Sequence, residues 1–217
     1  MTSLTELCNK YGYYSGINRG MNVINTGGDK AMVGFTEYYD TIFKDKRYTN
    51  INMLEIGIFQ GRSLAMWCDY FEKGNIYGID INLKEFELFK PELYKNYNAF
   101  VNNDVKQIFE MNCSVNLTKF NELPMFDIIL DDGAHDYNSQ YNTIKNIWHK
   151  LNSNGIYIIE DSAQDSNDRY NNSMRLLNNI KESINSIKQC IVFKSLPRHN
   201  KSDKYIIVIW KSNSNEF

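Results

Sequence analysis

The feature that most constrains this chain is an alternation that begins at residue 51: apolar runs of strand length, each followed by a segment with apolar residues on one helical face. Its sharpest unit is Met53-Leu54-Glu55-Ile56-Gly57-Ile58-Phe59-Gln60-Gly61-Arg62-Ser63. The apolar run Ile51–Ile56 stops at Gly57 and crosses a short loop to Gly61. It then opens into a helix whose Leu64, Trp67, Cys68 and Phe71 fall at i, i+3, i+4 and i+7. Such a turn brings backbone N–H groups and a helix N-terminus close to a ligand, with glycines where a Cβ would block the approach. The spacing Glu-x-Gly-x-x-x-Gly is not the dinucleotide Gly-x-Gly-x-x-Gly, and no Lys-Ser/Thr follows to make a Walker loop. By itself the motif is equally an ordinary strand-to-helix turn.

Repetition of the unit decides more. Strands fit Ile51–Ile56, Asn75–Ile79, Ala99–Asn102, Phe126–Leu130, Gly155–Ile159, Cys190–Lys194 and Tyr205–Trp210. Helices fit Arg62–Phe71, Lys84–Tyr97 with a break at Pro91, Val105–Met111, Asn138–Leu151 and Arg169–Ile187. Apolar strands alternating with helices imply a parallel sheet covered on both faces, an α/β, Rossmann-like doubly wound domain over residues 51–217. Residues 1–50 read as a separate arm. Ser3 and Glu6 have capping-box spacing ahead of a short helix; a glycine-punctuated stretch follows, then a second helix capped by Thr36 with Tyr39, Ile42 and Phe43 inward. A long loop of this kind reads as a lid over substrate or cofactor, or equally as a packing arm or dimer contact.

The totals exclude several classes. A net charge of −2 without a basic run gives no support to nucleic acid or an anionic membrane as partner. No apolar stretch approaches a membrane span, and Met1-Thr2-Ser3 lacks a signal peptide's charged start, so a cytoplasmic protein is expected. Cys8, Cys68, Cys113 and Cys190 are scattered without a C-x-x-C pair and are expected as free thiols.

Ligands of parallel sheets sit at the carboxyl ends of the strands. The residues expected there are Glu55 and Gly57, Asp80, Asn103 and Asp104, Asp131, Asp132 and His135, and Glu160 and Asp161. Almost every strand ends in acid. Asp80 closes the second strand, where an acid can accept both hydroxyls of a ribose, and Asp104 is placed to reach an adenine edge. Asp131, Asp132, Glu160 and Asp161 converge with no basic neighbour in sequence. Their mutual repulsion calls for a divalent cation, and oxygen ligands favour Mg²⁺, Mn²⁺ or Ca²⁺ over zinc. His135, three residues past Asp132, is placed as a general base, although a lone histidine is more often structural.

Taken together, these residues resemble a class I S-adenosylmethionine-dependent methyltransferase. More narrowly they resemble the macrocin and mycinamicin sugar O-methyltransferases and the related cephalosporin hydroxylase-like proteins. The resemblance is carried by Asn25-Thr26-Gly27-Gly28-Asp29-Lys30, Gly34-Phe35-Thr36-Glu37-Tyr38-Tyr39, Leu54 to Ser63, Asp131-Asp132-Gly133-Ala134-His135 and Ile159-Glu160-Asp161. It implies a seven-stranded sheet with an antiparallel last strand. The implied S-adenosylmethionine contacts are Glu55, Gly57, Gly61, Ser63, Asp80, Asn103, Asp104 and Asp131. It further implies Mg²⁺ or Mn²⁺ on Asp132, Glu160 and Asp161, with His135 and Asp132 catalytic. Thr26, Asp29, Lys30, Tyr38 and His199 are the expected substrate contacts. The implied acceptor is a saccharide: a nucleotide-activated sugar, a surface polysaccharide unit or a glycosylated natural product. A catechol-type acceptor and a non-catalytic cofactor- or glycan-binding protein are the alternatives, and a homodimer is the expected assembly. Members often carry a histidine before the Tyr-Thr or Phe-Thr pair; Val33-Gly34-Phe35-Thr36 has none.

Overall fold

The computed structural model describes residues 2–12, 30–115, 118–196 and 203–213. Seven strands form one sheet in the order β3-β2-β1-β4-β5-β7-β6. They are β1 Asn52–Ile56, β2 Asn75–Asp80, β3 Val105–Glu110, β4 Phe126–Asp131, β5 Leu151–Ile159, β6 Ile187–Lys194 and β7 Tyr205–Lys211. β1 to β5 pair in parallel, whereas β7 runs antiparallel to both β5 and β6. The expected doubly wound sheet with an antiparallel last strand is therefore present.

The helices are α1 Leu4–Tyr11, α2 Phe35–Phe43, α3 Arg62–Tyr70, α4 Lys84–Tyr97, α5 Tyr137–Ile147 and α6 Arg169–Ser183. Alternate residues of the central strands feed two cores. Met53, Ile76, Ile128, Leu130 and Ile158 pack with α1 to α4, while Leu54, Ile79, Ile129, Tyr157 and Ile159 pack with α5 and α6. This is the two-residue period of a strand buried on both faces.

Caps fix the helix starts. The Ser3/Glu6 capping box is formed, Asp136 caps α5 and Asp168 caps α6 through their carboxylates. Thr36 does not cap α2. Gly34 in the left-handed region precedes the helix, and the Thr36 hydroxyl pairs with that of Thr5 at 2.7 Å. The described residues of the N-terminal arm pack on the sheet domain. Leu4, Leu7, Tyr11, Phe35, Tyr39 and Phe43 share the core of Trp67 and Phe71 on α3. Arg62, buried at the start of α3, donates to the Tyr11 carbonyl at 2.6 Å.

Two further expectations fail. Pro91 does not break α4, because buried Phe86 and Leu93 on either side of it hold both halves of the helix against the core. Residues 105–111 were expected as a helix and 99–102 as a strand, but the strand is β3. The spacing of Val105, Ile108 and Phe109 imitates a helical stripe, and pairing with β2 overrides it. Ala99 and Phe100 are buried as an anchor behind the left-handed Asn98 that ends α4.

Candidate active site

The chain order reverses between β1 and β4, and at that point a cleft of about 630 Å³ opens outside the carboxyl ends of the strands. Its size and place are those of a small-molecule site. Its walls come from Ile56 to Phe59, Ser63, Asp80, Ile81, Met111 to Ser114, Asp131 to His135, Ser139, Thr143, Asp161 and Lys204.

One end is built by Asp80. Its Oδ2 accepts the Ile58 and Phe59 amides at 3.0 and 2.9 Å, and its Oδ1 accepts the Asn82 amide at 3.1 Å. A carboxylate at the end of β2 thus fixes the turn that follows β1. Gly57 (φ 85°) is required there, since a Cβ would stand 2.3 Å from the Asp132 carbonyl oxygen of the adjoining loop. Gly61 serves packing instead: a Cβ would meet the Phe86 ring at 2.6 Å. Glu55 lies fully buried beneath the cleft, accepting from Ser63 Oγ at 2.8 Å and Trp67 Nε1 at 3.3 Å. It positions α3, and burial pushes its carboxyl up to about 7 despite Lys30 nearby.

Asn103 and Asp104 are not in this cleft. They precede β3 at the opposite rim, where Asn103 donates to the Phe71 and Gly74 carbonyls at 2.9 and 2.7 Å and Asp104 accepts the Val105 amide. The misplaced strand moved the expected contacts to the wrong end of the sheet. Met111, Asn112, Cys113 and Ser114 occupy the place assigned to them.

The other end concentrates charge. Asp131 is buried, accepting from Gly133 N and Tyr157 Oη, and burial pushes it up to about 7. Asp132 Oδ1 lies 3.0 Å from His135 Nε2, and its Oδ2 accepts from Lys30 Nζ at 2.6 Å. Both partners outweigh burial and hold its carboxyl well below the usual range. Burial lowers the His135 pKa, but the hydrogen bond and charge of Asp132, with the charge of Asp161, raise it to about 9. The ring is therefore charged at neutral pH in this arrangement. Asp161, in left-handed backbone (φ 49°), accepts from Lys204 Nζ at 2.5 Å through Oδ2; its buried Oδ1 has no partner among the described residues.

Glu160 is tied to Asp132 through Lys30. Its oxygens accept from Lys30 Nζ at 2.9 Å each, and Oε1 also accepts from Tyr39 Oη at 2.6 Å. The acid cluster thus has two basic partners that sequence reading did not supply, Lys30 from the arm and Lys204 from the start of β7. Lys30, expected at the substrate, is 3% exposed and is a counter-ion. Tyr38 is not at the cleft: it donates to the Lys194 carbonyl and stacks on Phe193 at 4.4 Å. Thr26, Asp29 and His199 lie outside the described residues.

A divalent cation fits part of the expected set. Asp132, His135 and Asp161 offer donor atoms within 4.8 Å of one another, and the unpartnered Asp161 Oδ1 is available to one. The two carboxylates suit a hard cation such as Mg²⁺ or Mn²⁺. Glu160, the third expected ligand, is paired with Lys30 and Tyr39 in this arrangement. All four cysteines are free, and among the described residues no helix is long and apolar enough to cross a membrane.

Comparison with known proteins adds a family to this geometry. A methyltransferase domain matches residues 54–162, half of the chain. The chain is 28% identical over 138 residues to mycinamicin VI 2''-O-methyltransferase of Micromonospora griseorubida, covering 58% of this chain and 31% of that protein. It is 29% identical over 134 residues to demethylmacrocin O-methyltransferase of Streptomyces fradiae, with the same coverage. The chain thus spans about a third of the length of these curated relatives. Among solved structures, a methyltransferase of the mycinamycin biosynthetic pathway in complex with Mg, SAH and mycinamycin VI shares the fold. Its TM-score is 0.65 at 21% identity, covering 99% of this chain and 56% of the other.

Proposed function

The chain belongs to the methyltransferase-domain family, and from that premise we propose that it moves the methyl group of S-adenosylmethionine to a hydroxyl of a saccharide, with a divalent cation at the Asp132 and Asp161 end of the cleft. The observation that carries this reading is a single cleft with two chemically different ends: a turn fixed by Asp80 and a carboxylate pair beside an imidazole. The names of the relatives support a sugar acceptor on a glycosylated natural product; a nucleotide-activated sugar or a polysaccharide unit has the same hydroxyl chemistry.

S-adenosylmethionine supplies an electrophilic methyl group, and a Mg²⁺ or Mn²⁺ ion acts as a Lewis acid that makes a sugar hydroxyl easier to deprotonate. The remainder falls to the protein. Methyl transfer is an in-line displacement, so positioning dominates. Beyond the three amides it already accepts, Asp80 keeps a lone pair on Oδ1 for a ribose hydroxyl, with Met111 to Ser114 walling the space beyond it. The loop Gly57 to Phe59 and the buried Asp131 shape the floor between the two ends. Asp132 and Asp161 would hold the cation. His135, in the cleft 3.0 Å from Asp132, is the group placed to take the hydroxyl proton once the carboxylates that hold its ring charged are engaged by other positive charge.

The test is transfer of labelled methyl from S-adenosylmethionine to a panel of nucleotide sugars, glycosylated macrolides and catechol, with Mn²⁺ or with chelator. Chelator-sensitive labelling of a saccharide is expected. Labelling of catechol alone, or labelling indifferent to chelator, would contradict the reading.

A further inference from the structure

The loop that follows β5 is held in costly backbone. Asp161 (φ 49°) and Ala163 (φ 49°) both lie in the left-handed region, as does His135 (φ 57°) just before α5, and none of them is glycine. A Cβ costs free energy there, so such a turn persists only where its surroundings over-determine it. The main brace is one buried amide. Gln140 lies one turn into α5, on the face that also buries Thr143, Ile144 and Ile147, and is 1% exposed. Its Nε2 donates to the Glu160 carbonyl at 2.9 Å, and its Oε1 accepts from the Ala163 amide at 2.8 Å. The two ends of a single side chain thus span the backbone of Glu160, Asp161 and Ser162.

The neighbouring bonds complete the clasp. The Gln164 amide donates to the His135 carbonyl at 2.8 Å, which joins the loop to the start of α5. From α6, Asn172 Nδ2 donates to the Ala163 carbonyl at 3.0 Å. Gln140 does not line the cleft, whereas His135 and Asp161 do. Both of its bonds go to backbone. A buried polar side chain with donor and acceptor both satisfied rigidifies what it holds, and here it holds the segment that carries two of the site's acids.

We propose that Gln140 is a positioning residue, an amide clip from α5 that keeps the Glu160–Ala163 turn in left-handed backbone and so aims its carboxylates beside Asp132 and His135. This rests on the cation site proposed above, to which the loop supplies Asp161 and the expected third ligand, Glu160. Side chains that orient metal ligands without touching the ion commonly set its affinity by about 10- to 100-fold. Gln140 then governs cation affinity and leaves the Asp80 end alone, because no bond of the clip reaches the turn after β1.

Three readouts separate positioning from stability alone. They are Mn²⁺ affinity from the free-ion electron paramagnetic resonance signal, S-adenosylhomocysteine affinity by calorimetry, and hydrogen exchange at the Gln164 amide, which needs no metal. Gln140→Met keeps a side chain of similar size and removes both bonds. Asn103→Ala is the control, since it also strips the donor from backbone carbonyls, at the opposite rim of the sheet. Gln140→Met is expected to weaken Mn²⁺ at least about tenfold, to keep S-adenosylhomocysteine within about threefold, and to speed exchange at Gln164 at least about tenfold. Asn103→Ala is expected to change each by no more than about twofold. A folded Gln140→Met with Mn²⁺ affinity within about twofold of the parent would overturn the proposal, as would equal losses of Mn²⁺ and S-adenosylhomocysteine. Should Gln140→Met not fold, Asn172→Ala takes its place: Mn²⁺ weakened about three- to tenfold with S-adenosylhomocysteine unchanged is expected, and equal effects on both ligands would overturn the clip. If the parent binds no Mn²⁺, the cation site falls and exchange decides the rest. Faster exchange at Gln164 in Gln140→Met would uphold the clip, and unchanged exchange would overturn it.

Discussion

The two ends of the cleft satisfy their acids by opposite means. At the Asp80 end the partners are backbone amides of Ile58, Phe59 and Asn82, all within 22 residues in sequence and supplied by the turn itself. At the Asp132 end the partners are charged side chains from far away, Lys30 at a separation of 102 residues and Lys204 at 43 from Asp161. Amide dipoles leave a carboxylate ready for neutral hydroxyls. Buried ammonium groups compensate carboxylates that cannot reach water. The first end is suited to hold a ribose and the second to hold an ion, and they should fail independently.

Mutations probe that independence. The largest effect is expected from Asp161→Asn: Mn²⁺ affinity should drop by at least about 100-fold, with S-adenosylhomocysteine affinity within about threefold, measured by calorimetry. Gly57→Ala should break both ends together. Its Cβ would press on the Asp132 carbonyl in left-handed backbone, costing about 3 kcal/mol and lowering Tm by roughly 6–12 °C in a thermal scan. Asp80→Ala should weaken S-adenosylhomocysteine by about 10- to 100-fold through lost charged hydrogen bonds, and leave Mn²⁺ binding unchanged. The smallest effect on the cleft is expected from Asn103→Ala. Both affinities should stay within about twofold, while stability falls by about 1 kcal/mol as two buried carbonyls lose their donor.

What could be read from sequence follows the same division. The strand, glycine turn and helix at residues 52–70, and the acids closing β2, β4 and β5, are local patterns with a fixed period, and they stand where expected. The wall at Met111 to Ser114 was hidden because β3 is an edge strand whose half-exposed residues repeat like a helix; pairing with β2, not propensity, makes it a strand. Glu55 and Gly61 belong to the expected motif but serve α3 and α4 instead of lining the cleft, a distinction that spacing does not carry. The counter-ions were hidden for a stronger reason. Apart from His135, nothing near Asp132, Glu160 or Asp161 in sequence is basic, and only the fold brings Lys30 and Tyr39 to Glu160 and Lys204 to Asp161.

The most direct measurement is calorimetric titration of S-adenosylhomocysteine into the parent, Asp80→Ala and Asp161→Asn proteins, each with and without Mn²⁺. The account predicts binding to the parent, binding lost or sharply weakened in Asp80→Ala alone, and a Mn²⁺ heat lost in Asp161→Asn alone. Absence of S-adenosylhomocysteine binding to the parent under either condition, or equal affinity in Asp80→Ala, would contradict it.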